Sequence, residues 1–455
     1  MASSRPDKAV VAIDRERPFA VDELFFSTTD AKGVIRSGND VFVRVSGYER
    51  ERLVGQAHNI IRHPDMPRGV FEIFWDHLGE GTGVAAYVKN MAADGSYYWV
   101  LALAVPISGG YLSVRMKPSG PLFDAARSVY ADALAVEREV EDGDVSRRKQ
   151  AIEAGAARML ELLAEAGFPD YRSFMRAALV SEVASGMTDL HMGTESIGEA
   201  QTRVVLGDAS AQLGALVQDL RRYGDVAADL SRRSQFLIGL AGDIRLFALN
   251  AVVTSARIGA RAAALGTVAQ VLGAQSRKAE PEIRALHDLV DNSVESLGVM
   301  QFRIAASKLI TDQVFHSLPD GEHDAGAAEL SDLVDLGDAL ADSSARLGEA
   351  MDRFYGALES IETGAETVAR LLSIVQALEI NGRVEGARLG DAQVSTLFGE
   401  VGREVAEAVA QLRGFQALRE QIGVNASAEG RRLCVALNDT AVSLSEIDRP
   451  ASAAA

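Results

Sequence analysis

The chain has 455 residues, 64 acidic against 46 basic side chains for a net charge of −18, one cysteine and 6% aromatics. Such a length accommodates two to four domains, each able to bury a core, and the acidity argues against nucleic acid, whose phosphates need clustered Lys and Arg. A lone thiol, Cys434, excludes a disulfide framework and a thiolate-rich metal site.

The opening stretch MASSRPDKAVVAIDRERPF has no apolar core of signal-peptide length, and no run of about 18 uncharged apolar residues occurs in the chain. The expectation is therefore a cytoplasmic protein with no membrane span. Charge and aromatics divide it unevenly. Residues 1–120 carry 14 basic and 14 acidic side chains, whereas 121–455 carry 32 and 50, so the whole surplus lies in the second part. Both tryptophans, Trp75 and Trp99, lie in the first part, and Lys117-Pro118-Ser119-Gly120-Pro121 separates the two with residues that stop regular structure.

In the first part, alternation predicts strands at 33–36, 84–90, 97–105 and 111–115, with a hairpin turn at Ala93-Asp94-Gly95. Short helices are predicted at Asn39–Ser46 and Gly69–Leu78. That order gives an α+β fold, a small antiparallel sheet with helices on one face, able to enclose a pocket.

These residues resemble the PAS sensor domains of bacterial aerotaxis receptors. The matching phrases are Ser27-Thr28-Thr29-Asp30, Asn39-Asp40-Val41-Phe42, Ser46-Gly47-Tyr48, Asn59-Ile60-Ile61-Arg62-His63-Pro64-Asp65-Met66-Pro67 and Val88-Lys89-Asn90, followed by Asp94-Gly95-Ser96-Tyr97-Tyr98-Trp99. The resemblance implies a non-covalently bound FAD whose redox state is the signal. It places Arg62, His63 and Asp65 at the flavin pocket, with Asn39, His58, Trp75, Asn90 and Trp99 as further candidates. Where that family carries Pro-Trp before its V-K-N strand, this chain has Gly83-Val84, so a smaller wall is expected there. Read from chemistry alone, Trp75, Trp99 and Tyr98 supply apolar wall, and Asn, Arg and His supply polar groups able to respond to a ring gaining electrons. The same run also reads as a rigid turn, with Asp65 capping the helix that follows.

From Pro121 onward the composition turns to Ala, Leu, Glu, Arg and Val, with apolar residues three and four apart, as at Leu330, Leu333, Leu336, Leu340 and Leu347. The expectation is an all-α region of long antiparallel helical hairpins forming a four-helix bundle or coiled coil. Within it lies a duplication. Residues 246–259 align without gaps to 377–390, pairing Asn250 with Asn381, Arg257 with Arg388 and Gly259 with Gly390. Each copy ends in glycine, which suits a helical turn.

Both copies resemble the hairpin tip of the methyl-accepting chemotaxis receptor signalling domain, in degenerate form. The first has Thr254 and Ala260 where that family has glutamates; the second has Gly382-Arg383 in place of Ala-Ala. By that resemblance Asn250, Arg257, Asn381, Glu385 and Arg388 mark the surface that docks a coupling adaptor and a histidine kinase. The expected plan is a tail at 1–19, the PAS domain at 20–117, a helical connector at 118–185, hairpins at 186–318 and 326–446, and a tail at 447–455. One chain then packs both hairpins together as a pseudo-dimer, or each hairpin pairs with that of a second copy in a homodimer.

The remaining candidates read plainly. His191, His287, His316 and His323 lack metal-ligand spacing, Glu195, Glu199 and Gln201 read as an exposed acidic face, and Cys434 sits in an apolar stripe. No nucleophile–base pair, P-loop or kinase motif occurs, so catalysis has no candidate residues, and the resemblances above imply a non-enzymatic signal transducer sensing redox, oxygen or energy state. The competing expectation is a scaffold whose PAS pocket is empty or holds heme or another small molecule.

Overall fold

The computed structural model describes residues 10–186, 197–318, 327–416 and 426–446. It divides into two compact units, one formed by residues up to 219, 301–348 and from 431, the other by 220–300 and 349–430. Glu195, the start of the first expected hairpin at 187–196 and the segment 319–326 between the two hairpins lie outside the described residues, as do His191, His323 and the side chains of Glu199 and Gln201.

In the first unit, strands β1 (Phe25–Asp30), β2 (Ile35–Gly38), β3 (Val84–Met91), β4 (Tyr97–Ile107) and β5 (Gly110–Met116) form one antiparallel sheet ordered β2-β1-β5-β4-β3. Helices α1 (Asp40–Ser46), α2 (Arg50–Leu53) and α3 (Arg68–Gly79) fill the long connection from β2 to β3. This is the small antiparallel sheet with accompanying helices that the strand and helix pattern implied, in the arrangement expected from the PAS resemblance. Directly opposed residues share a face, so Val88 with Val100, Asn90 with Tyr98 and Arg115 with Ala102 look toward one side, and Tyr87 with Leu101 toward the other.

The turn at Ala93-Asp94-Gly95 is present, with Gly95 at φ +85°. A side chain there would run into the Val11 carbonyl, because residues 11–17, expected to be tail, lie along the hairpin. Ile13 N donates to Gly95 O (2.8 Å), Tyr97 N to Arg15 O (2.9 Å) and Arg17 N to Tyr97 O (2.7 Å).

The connector is three helices, α4 (Leu122–Glu141), α5 (Arg148–Glu165) and α6 (Tyr171–Ser185). Gly167, at φ +91°, lies between α5 and α6, and Asp170 opens α6 with a reciprocal capping box to Ser173. A second break, at Asp142-Gly143, has both residues in the left-handed region (φ 43° and 74°) and turns α4 back against α5. Nothing in the apolar periodicity marked it.

The remaining helices are α7 (Ile197–Ile258), α8 (Ala263–Ser317), α9 (Ala327–Leu389), α10 (Ala392–Gln416) and α11 (Ala426–Glu446). Within the second unit, segments of α7, α8, α9 and α10 share one core: Ile244, Ala248 and Ala251 meet Leu265, Ala269 and Leu272, together with Val368, Leu372 and Val375, and Val394, Phe398 and Val401. Both glycines predicted to end the copies turn the chain, Gly259 at φ +82° and Gly390 at φ +67°. The first turn is longer, carrying a 3-10 stretch at Ala260–Ala262 that the second lacks. In the first unit Cys434 is half-buried beside Gly348, and its carbonyl accepts from Ser344 Oγ at 2.7 Å.

Among the described residues one helix, Thr202–Ile258, is long and apolar enough by composition to cross a membrane, with a window of mean hydropathy 1.7. Between Phe236 and Val253 only Asp243 and Arg245 are charged, and Leu237, Leu240, Ile244, Ala248 and Ala251 of that stretch are core residues of the second unit.

Candidate functional site: a cavity under the PAS sheet

One face of the sheet, with α3 and the segment before it, encloses a cavity of about 370 Å³, within the roughly 300–1,000 Å³ usual for small-molecule sites. Its apolar wall comes from Val88, Ala102 and Ala104 on the sheet and from Phe71, Phe74, Trp75 and Leu78 on α3. The two alanines fall at successive cavity-facing positions of β4, where larger side chains would fill the space. Trp75 is 43% exposed and rests edge-on against Tyr111, with ring centroids 5.6 Å apart.

Of the eight residues singled out for a cofactor, four line this cavity: His58, Arg62, Trp75 and Asn90. Arg62 lies 4.2 Å over the Phe71 ring and donates to Met66 O (3.2 Å). Burial, then neighbouring Arg68, lowers its pKa from the ordinary value, against Glu137, which raises it. Asn90 is buried, and its Nδ2 has no partner within the protein. A buried amide donor left unmade is costly, so this position is suited to a ligand acceptor.

The other four lie outside the cavity lining. Asn39 is the N-cap of α1, its Oδ1 accepting from Phe42 N at 3.1 Å. Trp99 lies on the opposite face of the sheet, edge-on to Phe123 at 5.4 Å. His63 and Asp65 lie on a turn closed by Met66 N donating to His63 O (3.1 Å), and neither lines the cavity. The His63 ring lies edge-on to Tyr97, and its Nδ1 accepts from Asp65 N at 3.0 Å. Asp65 accepts from Lys89 Nζ (3.0 Å) and from Arg138 of α4 (3.1 Å). Burial raises the Asp65 pKa, but the hydrogen bond and charge of Lys89, with Arg138 and His63, outweigh it and leave the carboxyl below the usual range. Gly83 lies away from the wall, against Val105 and Phe302, whereas Val84 is directly opposite the cavity-lining Ala104.

The capping expected of Asp65 falls to a residue from another helix. Glu137 of α4, 2% exposed, accepts from the Arg68 and Gly69 amides, both at 2.9 Å, at the start of α3. A carboxylate there satisfies two orphan donors and complements the helix dipole. Arg68 adds an ion pair to Glu141 (2.6 Å). Behind the sheet, fully buried Glu182 accepts from Tyr87 Oη (2.8 Å) and from the Ser119 and Gly120 amides (both 2.6 Å). The loop that carries Arg62 into the cavity is thus clasped from outside by α4.

Arg115 is the cavity residue that motif reading missed. It is 3% exposed and lines the cavity from β5, donating to Ser27 Oγ (3.0 Å) and Ser113 O (3.4 Å). Its Nη2 lies 2.6 Å from His58 Nε2. A guanidinium only donates, so Nε2 accepts and the His58 proton sits on Nδ1. Burial, then the charge of Arg115, holds the His58 pKa well below its ordinary value, so the imidazole is neutral. Burial pushes the Arg115 pKa down to about 10, which leaves it charged near neutral pH. The available signal was an arginine at an inward position of an alternating strand. Among the described residues no cluster of three or more His, Cys, Asp or Glu side chains is arranged to hold a metal ion.

An apolar slot with an unpaired amide donor and a buried cation at its edge fits a planar heteroaromatic ligand carrying carbonyl acceptors, as a flavin does. Residues 36–114 match the PAS fold family. A 118-residue stretch is 41% identical to the aerotaxis receptor of Escherichia coli (strain K12), covering 25% of this chain and 23% of the receptor. Among solved structures, the PAS domain of a protein from Colwellia psychrerythraea aligns with 21% identity, covering 21% of this chain and 85% of that one at a TM-score of 0.20. The light-state LOV domain of the blue-light photoreceptor Aureochrome1 aligns with 24% identity, 25% and 91% coverage and a TM-score of 0.20. The chain therefore carries a PAS domain homologous to that of an aerotaxis receptor, followed by long interacting helices.

Proposed function

We propose that this protein is a non-enzymatic redox sensor that holds FAD in the PAS cavity and relays its state through the connector helices to a signalling partner. The observation that carries the reading is the polar set on the cavity, in which unpartnered Asn90 Nδ2 and charged Arg115 face a slot walled by α3 and two alanines. FAD would supply reversible electron uptake there. Asn90 and Arg115 would bind its carbonyl edge, Phe71, Phe74 and Trp75 would cover its face, and the apolar wall would exclude water. The cavity lining contains no sulfur, and the chain's one thiol, Cys434, lies in α11 and not in that lining, so electron transfer rather than trapping of the ring by a thiol would be the sensing step.

The route outward starts beside the cavity. Asn90 is followed back along β3 by Lys89, which faces the other side, binds Asp65 and through it Arg138 of α4. Output in this reading occurs at the hairpin turns of the second unit, which resemble chemotaxis receptor tips. Asn250, Arg257, Asn381 and Arg388 are exposed there, and Arg388 lies 3.6 Å from Glu385. Leu249 and Val253 are 59% and 51% exposed, and their counterparts Ile380 and Val384 are 50% and 59% exposed. Two copies of one uncovered apolar stripe suit docking of a coupling adaptor and histidine kinase, or related signalling proteins.

The test is the absorption spectrum of the purified chain, followed by release and identification of the chromophore. Flavin bands that bleach with reductant support the reading. A protein colourless even after incubation with FAD overturns the sensor and favours a scaffold. A pull-down with the kinase and adaptor, using Val253→Glu/Val384→Glu as control, tests output separately.

A further inference from the structure

We infer that Arg115 sets the redox potential of the bound ring by holding a fixed positive charge against its inner, carbonyl-bearing edge. This rests on the flavin reading and specifies which side chain tunes the couple. The cavity is closed at this end by Arg115, Ser27 and His58, with Phe25 and Phe42 behind the guanidinium at 5.9 and 5.4 Å. None of its described hydrogen-bond partners is a carboxylate: they are a hydroxyl, a backbone carbonyl and a neutral imidazole. A buried cation without a counter-ion is costly, and this one faces space into which a ligand fits.

Guanidinium donors match the carbonyl and ring-nitrogen acceptors of a flavin's pyrimidine edge and not its methylated edge, which fixes the ring's direction. When a diffusible donor such as a reduced nicotinamide or a quinol delivers two electrons, one proton from solvent adds at N5, and the remaining negative charge spreads over N1 and the C2 carbonyl. That charge forms within reach of Arg115 in a dry site, where an opposite charge is worth more than in water. His58 carries its proton on Nδ1 and accepts from Arg115, so it orients the guanidinium without supplying an acid to the ring. The fixed charge therefore favours the reduced ring.

The experiment is a dithionite titration of the full chain, reconstituted with FAD, against a reference dye, for wild type, Arg115→Met and Arg115→Lys. The Met variant removes the charge and keeps much of the volume. It should lower the reduced-to-oxidised ratio at a fixed potential at least tenfold, about 30 mV for a two-electron couple, with the Lys variant lying nearer wild type. FAD binding with an unchanged potential in Arg115→Met overturns the inference and leaves the flavin reading standing. Should the Met variant not retain FAD, retention by Arg115→Lys supports the role of the charge, and loss in both overturns it. Wild type that takes up no flavin overturns the underlying reading instead.

Discussion

Arg115 and Glu182 are both shut away from water, on opposite faces of one sheet, and their surroundings treat them in opposite ways. Glu182 receives three hydrogen bonds, from Tyr87 Oη and two backbone amides, and its carboxylate ties the start of α4 and the back of β3 to α6. Arg115 has only neutral partners and borders open space. A buried charge whose partners are complete belongs to the architecture, whereas one left short of a counter-ion beside a cavity is poised for a ligand. The same contrast separates Glu137, with both oxygens occupied by α3 amides, from Asn90, whose amide donor has no partner.

If that contrast holds, substitutions on the connector face cost stability, and those on the cavity face change ligand behaviour instead. The largest effect is expected for Glu182→Ala, which strands a buried tyrosine hydroxyl and two amides and should cost about 3–5 kcal/mol, read as a fall in the denaturation midpoint. Glu137→Gln keeps one acceptor and loses the charge at the α3 N-terminus, so about 1–3 kcal/mol is expected in the same measurement. Asp65→Asn removes half-exposed ion pairs, worth under about 1 kcal/mol after solvent screening. Because the Asp65 pKa is lowered on folding, its contribution is present above the unfolded carboxylate value of about 3.9 and is lost as pH falls through the lower folded value. The difference between wild type and Asp65→Asn should therefore close in acid and shrink with salt. Arg115→Met without ligand should lie within about 1 kcal/mol of wild type, since it removes a buried charge that has no counter-ion and Ser27 Oγ, 3.3 Å from His58 Nε2, can donate in its place. A loss there as large as for Glu182→Ala would break the comparison.

Much of this was legible in the residues. Alternation at 97–105, the Asp94-Gly95 turn and the Asn39 cap position specify the sheet and α1 through local rules. The duplication at Asn250 and Asn381 located both helical turns. The cavity was less legible because a motif gives order along the chain and not direction in space. Arg62, His63 and Asp65 are near neighbours, yet Arg62 lines the cavity, the His63 ring lies against Tyr97, and Asp65 reaches Arg138 of α4. Glu137 is some seventy residues from the amides it caps, a distance across which local pattern has no reach. Arg115 was within reach of the period-two rule applied to β5, where Tyr111, Ser113 and Arg115 line the same cavity.

The Glu137 cap also bears on how the domain opens. The first amides of a helix exchange readily with solvent because they lack intrahelical partners. In α3 those of Arg68 and Gly69 are held by a carboxylate anchored on another helix, so neither can be released by fraying of α3 alone. In hydrogen exchange the start of α3 and the last turns of α4 should behave as one cooperative segment, opening together at a single free energy. The wall of the cavity would then loosen only when α4 does.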